Sequence, residues 1–362
     1  MAISDKKNSA LSTKKGVVKP HNLFKSSIKK LQKNKAKDIS VNDYFKNIVK
    51  GDVSYLSRAI TLVESQNRND NKKANKLLEA CLPYTQKSVR IGITGVPGVG
   101  KSTFIEVFGK QLTKLGKKVA VLAIDPSSSI NKGSILGDKT RMETLAKDKM
   151  AFIRPSPTGK TLGGVAKSTR ESILLCEAAG FDVIIIETVG VGQSETIVHQ
   201  MVDFFLLLKL AGAGDALQGI KRGIIEMADA IVINKADGGN LHVAQKAKTE
   251  FNRALHLYPV KESKWTPKVL LCSALKNEGI KAIWQLLSDY FKLTKNNGYF
   301  EHNRKNQNKY WLQDTIKHEL LRRFESLPNI KKDFAQQLSD VNHNKTTPFL
   351  AAQKLLKKFY KK

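Results

Sequence analysis

Between Val89 and Phe291, short apolar runs alternate with longer amphipathic stretches. The runs are apolar at consecutive positions rather than at every second one, which fits strands covered on both faces. The stretches between them are long enough for crossover helices. The pattern predicts strands over 89–95, 118–124, 151–154, 182–187, 203–208, 229–234 and 268–272. The expected fold is therefore α/β, a mostly parallel sheet flanked by helices, with the loops at the strand C-termini gathered on one edge by right-handed crossovers. Ahead of the first strand, Ile60, Val63, Leu77, Leu78 and Cys81 fall on helical spacing, so two or three helices are expected there.

Beyond Asn296-Asn297-Gly298 a polar tail carries Leu312, Ile316, Leu320 and Phe324 at four-residue intervals, then Leu350, Leu355, Leu356 and Phe359 after the breaker Pro348. Such stripes need a surface to bury against, either the core of the same chain or a second subunit. The organisation read from these shifts is a basic arm over 1–38, a helical extension over 39–88, a core over 89–295 and a helical extension over 296–362.

Composition adjusts this outline in three places. The formal net charge is +30, from 62 Lys and Arg against 32 Asp and Glu, which raises the question of nucleic acid or anionic membrane. The excess is spread out: residues 1–38 hold 11 Lys against 2 Asp, and residues 292–362 hold 16 basic against 6 acidic side chains. Lysine dominates over arginine and asparagine is abundant, so the excess alone specifies no nucleic-acid surface. The three cysteines, Cys81, Cys176 and Cys272, stand far apart, which indicates neither a disulfide framework nor a zinc knuckle. The longest strongly apolar piece, Phe204–Leu208, is too short to span a bilayer, and the first residues lack a signal-peptide core. A cytoplasmic protein is expected.

The chemistry begins at Gly95-Val96-Pro97-Gly98-Val99-Gly100-Lys101-Ser102-Thr103, a complete phosphate-binding loop between a strand and a helix. Its backbone N–H groups and the helix dipole suit an anion, Lys101 is placed to reach the terminal phosphates, and Ser102 to hold Mg²⁺. After the strand ending at Asn234 come Lys235 and Asp237. A carboxylate at Asp237 can accept both N–H donors of guanine's edge, Asn234 can read the other edge, and Lys235 can lie beneath the base. Cys272-Ser273-Ala274-Leu275 follows the last strand and could offer an N–H to the guanine oxygen. The order of these elements predicts GTP and GDP rather than adenine nucleotides. For Mg²⁺ and the attacking water, the candidates beside Ser102 are Asp125 and Glu187, each at a strand end, and Asp138 in a loop. Gly190 could donate its N–H to the γ-phosphate and sense hydrolysis. The residue after it is Val191 rather than the glutamine that orients water in small GTPases. No obvious arginine finger acting in cis is identifiable; Arg141 and Arg154 are no more than candidates, and slow intrinsic turnover is expected.

The segments GVPGVGKST, AIDPSS, SILGDKTRM, FIRPSPTGKTLGGVA, ETVGVGQSE, GAGDALQGIKRG and NKAD together resemble the MeaB/ArgK/MMAA family of P-loop GTPases, from about Lys50 to about Phe291. The resemblance implies a GTPase that chaperones a coenzyme-B12-dependent acyl-CoA mutase, typically methylmalonyl-CoA mutase, gating cofactor delivery and protecting or reactivating the enzyme. It implies a homodimer joined through the C-terminal extension, and a further switch loop in which Asp215, Gln218 and Lys221 signal. It carries Lys101, Asp138, Glu187 and Gly190 into catalysis and Ser102, Asp125, Asp138 and Glu187 to Mg²⁺. Three alternatives stand beside it. A metal-insertion GTPase would want a Cys/His cluster, for which the seven histidines and three cysteines show no spacing. A transport-associated kinase sits poorly with guanine recognition. The third is a basic RNA- or membrane-surface protein that uses GTP as a switch.

Overall fold

In the computed structural model the described residues are 39–124, 142–155, 162–188, 194–211 and 222–360. Three capped helices come first. Ser40 accepts from Asp43 N–H at 3.1 Å to start α1 (Val41–Val49), and Asp52 accepts from Ser54 N–H at 2.8 Å to start α2 (Val53–Glu64). Asn67 opens α3 (Arg68–Cys81) in the same way. Ile60, Val63, Leu77 and Cys81 are buried, and Leu78 packs against them from a partly exposed position.

The strands are β1 (Val89–Gly95), β2 (Val119–Ile124), β3 (Ala151–Arg154), β4 (Val183–Thr188), β5 (Phe204–Leu210), β6 (Ala230–Asn234) and β7 (Lys268–Leu271). Interleaved with them are α4 (Lys101–Lys114), the short α5 (Glu143–Ala146), α6 (Leu162–Ala178), α7 (Ser194–His199), α8 (Arg222–Met227), α9 (Leu241–Leu255) and α10 (Ile280–Asn296). All seven strands are parallel, in the order β3-β2-β4-β1-β5-β6-β7. The chain leaves β1 toward β2 and β3 on one side and later fills β5 to β7 on the other. The crevice above β1 is thus the reversal point at which open α/β sheets bind ligands.

Alternation within each strand sorts the core. Ile91, Ile93, Val121, Ile185, Leu206 and Val232 face α4 and α10, whereas Ala120, Leu122, Ile184, Ile186 and Phe205 face the N-terminal helices and α6. On the β6 side, Leu207, Ile231 and Ile233 pack under α9.

Four strands begin one residue later than the pattern predicts, and β5 ends two residues further on. At three of those four starts the excluded residue is an aspartate with other work. Asp182 accepts from Lys118 N–H at 2.8 Å, Asp203 from Arg90 N–H at 2.8 Å and Asp229 from Phe205 N–H at 2.9 Å. Each carboxylate takes a backbone donor at or beside the neighbouring strand, to whose carbonyl the same aspartate's own N–H donates at 2.9, 2.8 and 2.8 Å.

After Gly298 the 28-residue helix α11 (Tyr299–Ser326) climbs across the sheet, followed by α12 (Pro328–Asn342) and α13 (Pro348–Tyr360). Its first half is tied down by polar side chains. Arg304 donates to both Asp203 oxygens at 2.9 and 2.7 Å and to the carbonyls of Gln86 and Ser88, within 4.0 Å of Glu177, which also pairs with Arg90. Gln307 donates to Val202 C=O at 2.7 Å and Trp311 to Gln200 C=O at 2.8 Å. Asp314 receives Arg170, and His318 lies against Gly163, where an added Cβ would meet the imidazole. Beyond Trp311 the outward face is open: Leu312, Ile316 and Leu320 are 64, 50 and 53% exposed. The stripe does not fold back on its own core. Phe324 instead meets Phe359 of α13 edge to face at 5.4 Å.

Candidate active site

The loop after β1 is shaped by what its backbone approaches. A Cβ at Gly95 would stand 2.6 Å from Leu208 C=O of β5, so the chain passes where no side chain fits. Gly100 has φ 91° and an added Cβ would lie 2.8 Å from the Asn234 amide nitrogen. A side chain there would strain the backbone and strike Asn234 together. Val99 is fully buried in the core, whereas Val96 is 41% exposed. Gly100 then caps α4, which aims its N-terminal N–H groups into the loop.

Lys101 donates to Gly95 C=O at 2.7 Å and to Val96 C=O at 3.4 Å, bending back over its own loop. Burial pushes its pKa below the usual lysine value, and the carboxylates of Glu187 and Glu195 oppose that shift. Ser102 is half-buried and Thr103 exposed at the start of the helix. Glu187 is 9% exposed on β4, aligned with Ile93 of β1 and Ala123 of β2. Next to it, Thr188 donates to Thr94 at 2.8 Å, joining the C-terminal ends of β4 and β1.

The base-side residues are wired to the loop. Asn234 donates its amide to Val99 C=O at 2.9 Å and accepts from Ala274 N–H at 3.1 Å. Lys235, held at φ 59°, donates to Gly98 C=O at 3.0 Å. Asp237 accepts a short hydrogen bond from the Ser273 hydroxyl, and Lys276 N–H donates to the same hydroxyl at 3.2 Å. The loop and the two segments after β6 and β7 therefore form one connected unit. Because the Ala274 N–H is engaged by Asn234, the next N–H along, that of Leu275, belongs to a residue 85% exposed.

The structure brings together Gly95 through Thr103, Glu187, Asn234, Lys235, Asp237, Ser273, Ala274 and Leu275 on one rim. Asp125, Asp138, Gly190, Asp215, Gln218 and Lys221 lie outside the described residues, as does Arg141. The chain returns beside α4 just after the segment that contains Asp138, with Thr144 donating N–H and O–H to Glu106 at 2.9 and 2.7 Å. Arg154 is not available as a cis arginine in this arrangement: it pairs with Glu64 and reaches Thr61 at 3.2 Å.

One residue near the loop escaped the sequence reading. Glu195, 1% exposed in the first turn of α7, acts electrostatically on Lys101 alongside Glu187. Its only sequence signal is that it follows Gln193-Ser194 directly.

A family model described as methylmalonyl-CoA mutase-associated GTPase MeaB matches residues 56–329. The GTPase ArgK of Escherichia coli is 44% identical over 311 residues, covering 86% of this chain and 94% of that protein. A mitochondrial methylmalonic aciduria type A homolog of Mus musculus is 44% identical over 329 residues, covering 88% of this chain and 79% of that protein. Among solved structures, one described as a LAO/AO transport system kinase superposes with a TM-score of 0.71 at 38% identity, covering 89% of this chain and 98% of that one. No described helix is long and apolar enough to cross a membrane.

Proposed function

The chain belongs to the MeaB family of methylmalonyl-CoA mutase-associated P-loop GTPases, and on that premise we propose that it is a Mg²⁺-dependent GTP hydrolase that chaperones a coenzyme-B12-dependent acyl-CoA mutase. The observation that carries the nucleotide half is the wiring of Asn234 to Val99 and Ala274, which fixes base-reading and phosphate-binding segments at one spacing. The mutase half rests on the family's description and on relatives such as the methylmalonic aciduria type A homologs.

In this reading Lys101 exchanges its two carbonyl partners for phosphate oxygens, and the loop N–H groups face the same anion. Asp237 selects guanine and Asn234 holds the loop to it. The donor set suits Mg²⁺, a hydroxyl at Ser102 with a largely buried carboxylate at Glu187, and Asp125 and Asp138 complete the proposed ligands. The metal would neutralise charge on the phosphates. Catalysis is otherwise positioning and electrostatics. Gly190 and the segment holding Asp215, Gln218 and Lys221 are proposed to respond to the γ-phosphate and so alter the grip on the mutase. The exposed stripe on α11 is proposed to join two copies of the chain.

The deciding experiment is co-purification with a B12-dependent mutase in the presence of GDP or of a non-hydrolysable GTP analogue. Nucleotide-dependent association supports the chaperone reading. Association with no mutase in either state would leave a GTPase without that client.

A further inference from the structure

Opposite the nucleotide rim, where β5, β6 and β7 begin, the described residues surround a half-open cavity of about 850 Å³. That lies within the range of sites that take a ligand or an anchoring side chain, roughly 300–1,000 Å³. Because all strands run the same way, this edge is a strand length away from the phosphate loop.

Its lining differs from the rest of the chain in charge. Asp203, Glu226, Asp229 and Glu262 face it with Lys261 as the one Lys or Arg among the described lining residues, against 62 Lys and Arg to 32 Asp and Glu in the whole chain. Asp203 is engaged by Arg304 and Asp229 by Lys261, while Glu226 and Glu262 stand exposed. Burial holds the His199 imidazole below its usual range, so it brings no positive charge at neutral pH. The floor is aromatic: Trp265 and Tyr290 meet edge to face at 5.4 Å, with Tyr258 and Tyr299 half-buried beside them. Val260, 78% exposed, adds an apolar rim. Carboxylates beside aromatic side chains favour a cation on an aliphatic stem, and the chain's own Lys268 ammonium stands 5.1 Å from the Trp265 ring.

We propose that this cavity is a docking site for a segment of a partner protein that presents an arginine or lysine beside an aliphatic side chain. The site is separate from the nucleotide rim and does not depend on the chaperone reading. Charge complementarity selects the occupant: a protein so basic elsewhere repels such a segment everywhere except at an acidic patch.

The test uses the full chain and a fluorescein-labelled octapeptide Gly-Ser-Arg-Leu-Leu-Arg-Ser-Gly, with a control carrying Glu in place of both Arg, read by anisotropy. Expected are saturable one-to-one binding of the arginine peptide and binding about tenfold weaker to the Glu226→Lys, Glu262→Lys double variant, with GTP hydrolysis unchanged, a loss worth roughly one exposed-to-desolvated charge contact. A second variant, Val260→Ser, weakens the leucine contacts while leaving the charge of the cavity unchanged, and is also expected to bind less. Absence of saturable binding, equal binding to the double variant, or equal binding of the Glu peptide overturns the proposal. Binding that appears only after the 11 lysines of residues 1–38 are changed to serine would assign the cavity to the chain's own arm and overturn the partner.

Discussion

At the nucleotide rim, Lys101, Asn234, Lys235 and Asp237 are each held by another part of the same chain, through carbonyls of the loop or the Ser273 hydroxyl. Along α11 the arrangement divides. Arg304, Gln307 and Trp311 are anchored to the core by hydrogen bonds, and the next turns present Leu312, Ile316 and Leu320 to solvent. Among the described residues, the first region is held together within one chain. The second is fastened at its root and unfinished at its tip, which suits a lever whose far end meets another protein.

The sharpest way to break this contrast lies in the loop. Lys101→Ala should lower GTP turnover by about a thousandfold, the scale of losing a preorganised cation at a developing phosphate charge, with thermal stability retained. Normal phosphate release from that variant would remove Lys101 from the site. At the root of α11, Arg304→Ala leaves Asp203 and Glu177 with one cation fewer in a buried network. A loss of about 3–5 kcal/mol in urea unfolding is expected. A change below about 1 kcal/mol, the level of an exposed pair, would make the root dispensable.

Asp237→Asn should cost roughly a hundredfold in GTP affinity, two hydrogen bonds to a charged group, and shift preference toward xanthine nucleotides. Unchanged selectivity in competition binding would undo the base assignment. At the tip, Ile316→Glu should weaken self-association by about tenfold to a hundredfold, the loss of one buried aliphatic side chain, and leave turnover intact. Light scattering decides it, and a chain that is monomeric before the change refutes the proposed role of the stripe.

The smallest effect concerns an anomaly in the core itself. Lys209 on β5 is 6% exposed, its ammonium stands 5.7 Å from the Phe251 ring, and burial lowers its pKa to about 8. A buried lysine whose folded value lies below its unfolded value of 10.5 destabilises fully below about pH 8, and the penalty fades as pH rises toward 10.5. Lys209→Met should therefore raise stability at pH 7 by about 1–2 kcal/mol, part of the gain being offset by the lost ring contact. The advantage should shrink by pH 10. A stability gain independent of pH would place its origin in packing alone.

Much of the sheet was legible because burial on both faces writes itself as consecutive apolar residues: Val183-Ile184-Ile185-Ile186 and Ala230-Ile231-Val232-Ile233 need no tertiary information to be read as strands. The loop and the guanine segment were legible for a related reason, since their chemistry is carried by neighbours in sequence. The polar fastenings were not. Arg304 with Asp203, Asp314 with Arg170 and Arg154 with Glu64 join side chains about 90 to 140 positions apart. A single charged residue gives no local sign of which distant partner it will meet. Arg154 shows the cost of that silence, since it was a candidate for an arginine acting in cis and its actual partner lies on an N-terminal helix. The stripe at Leu312 was visible as a pattern, but only the fold shows which side of the helix the core takes.

The Arg304 fastening also sets an order of events at the ribosome. The carbonyls of Gln86 and Ser88, and the Glu177 and Asp203 carboxylates, all leave the exit tunnel before the guanidinium that reaches them. At translation rates of about 5–20 residues per second, roughly 5–20 s separate the emergence of Asp203 from that of Arg304. During that interval Glu177 has the Arg90 guanidinium and the Ser88 hydroxyl, whereas the Asp203 carboxylate has the Arg90 backbone N–H and still lacks its cation.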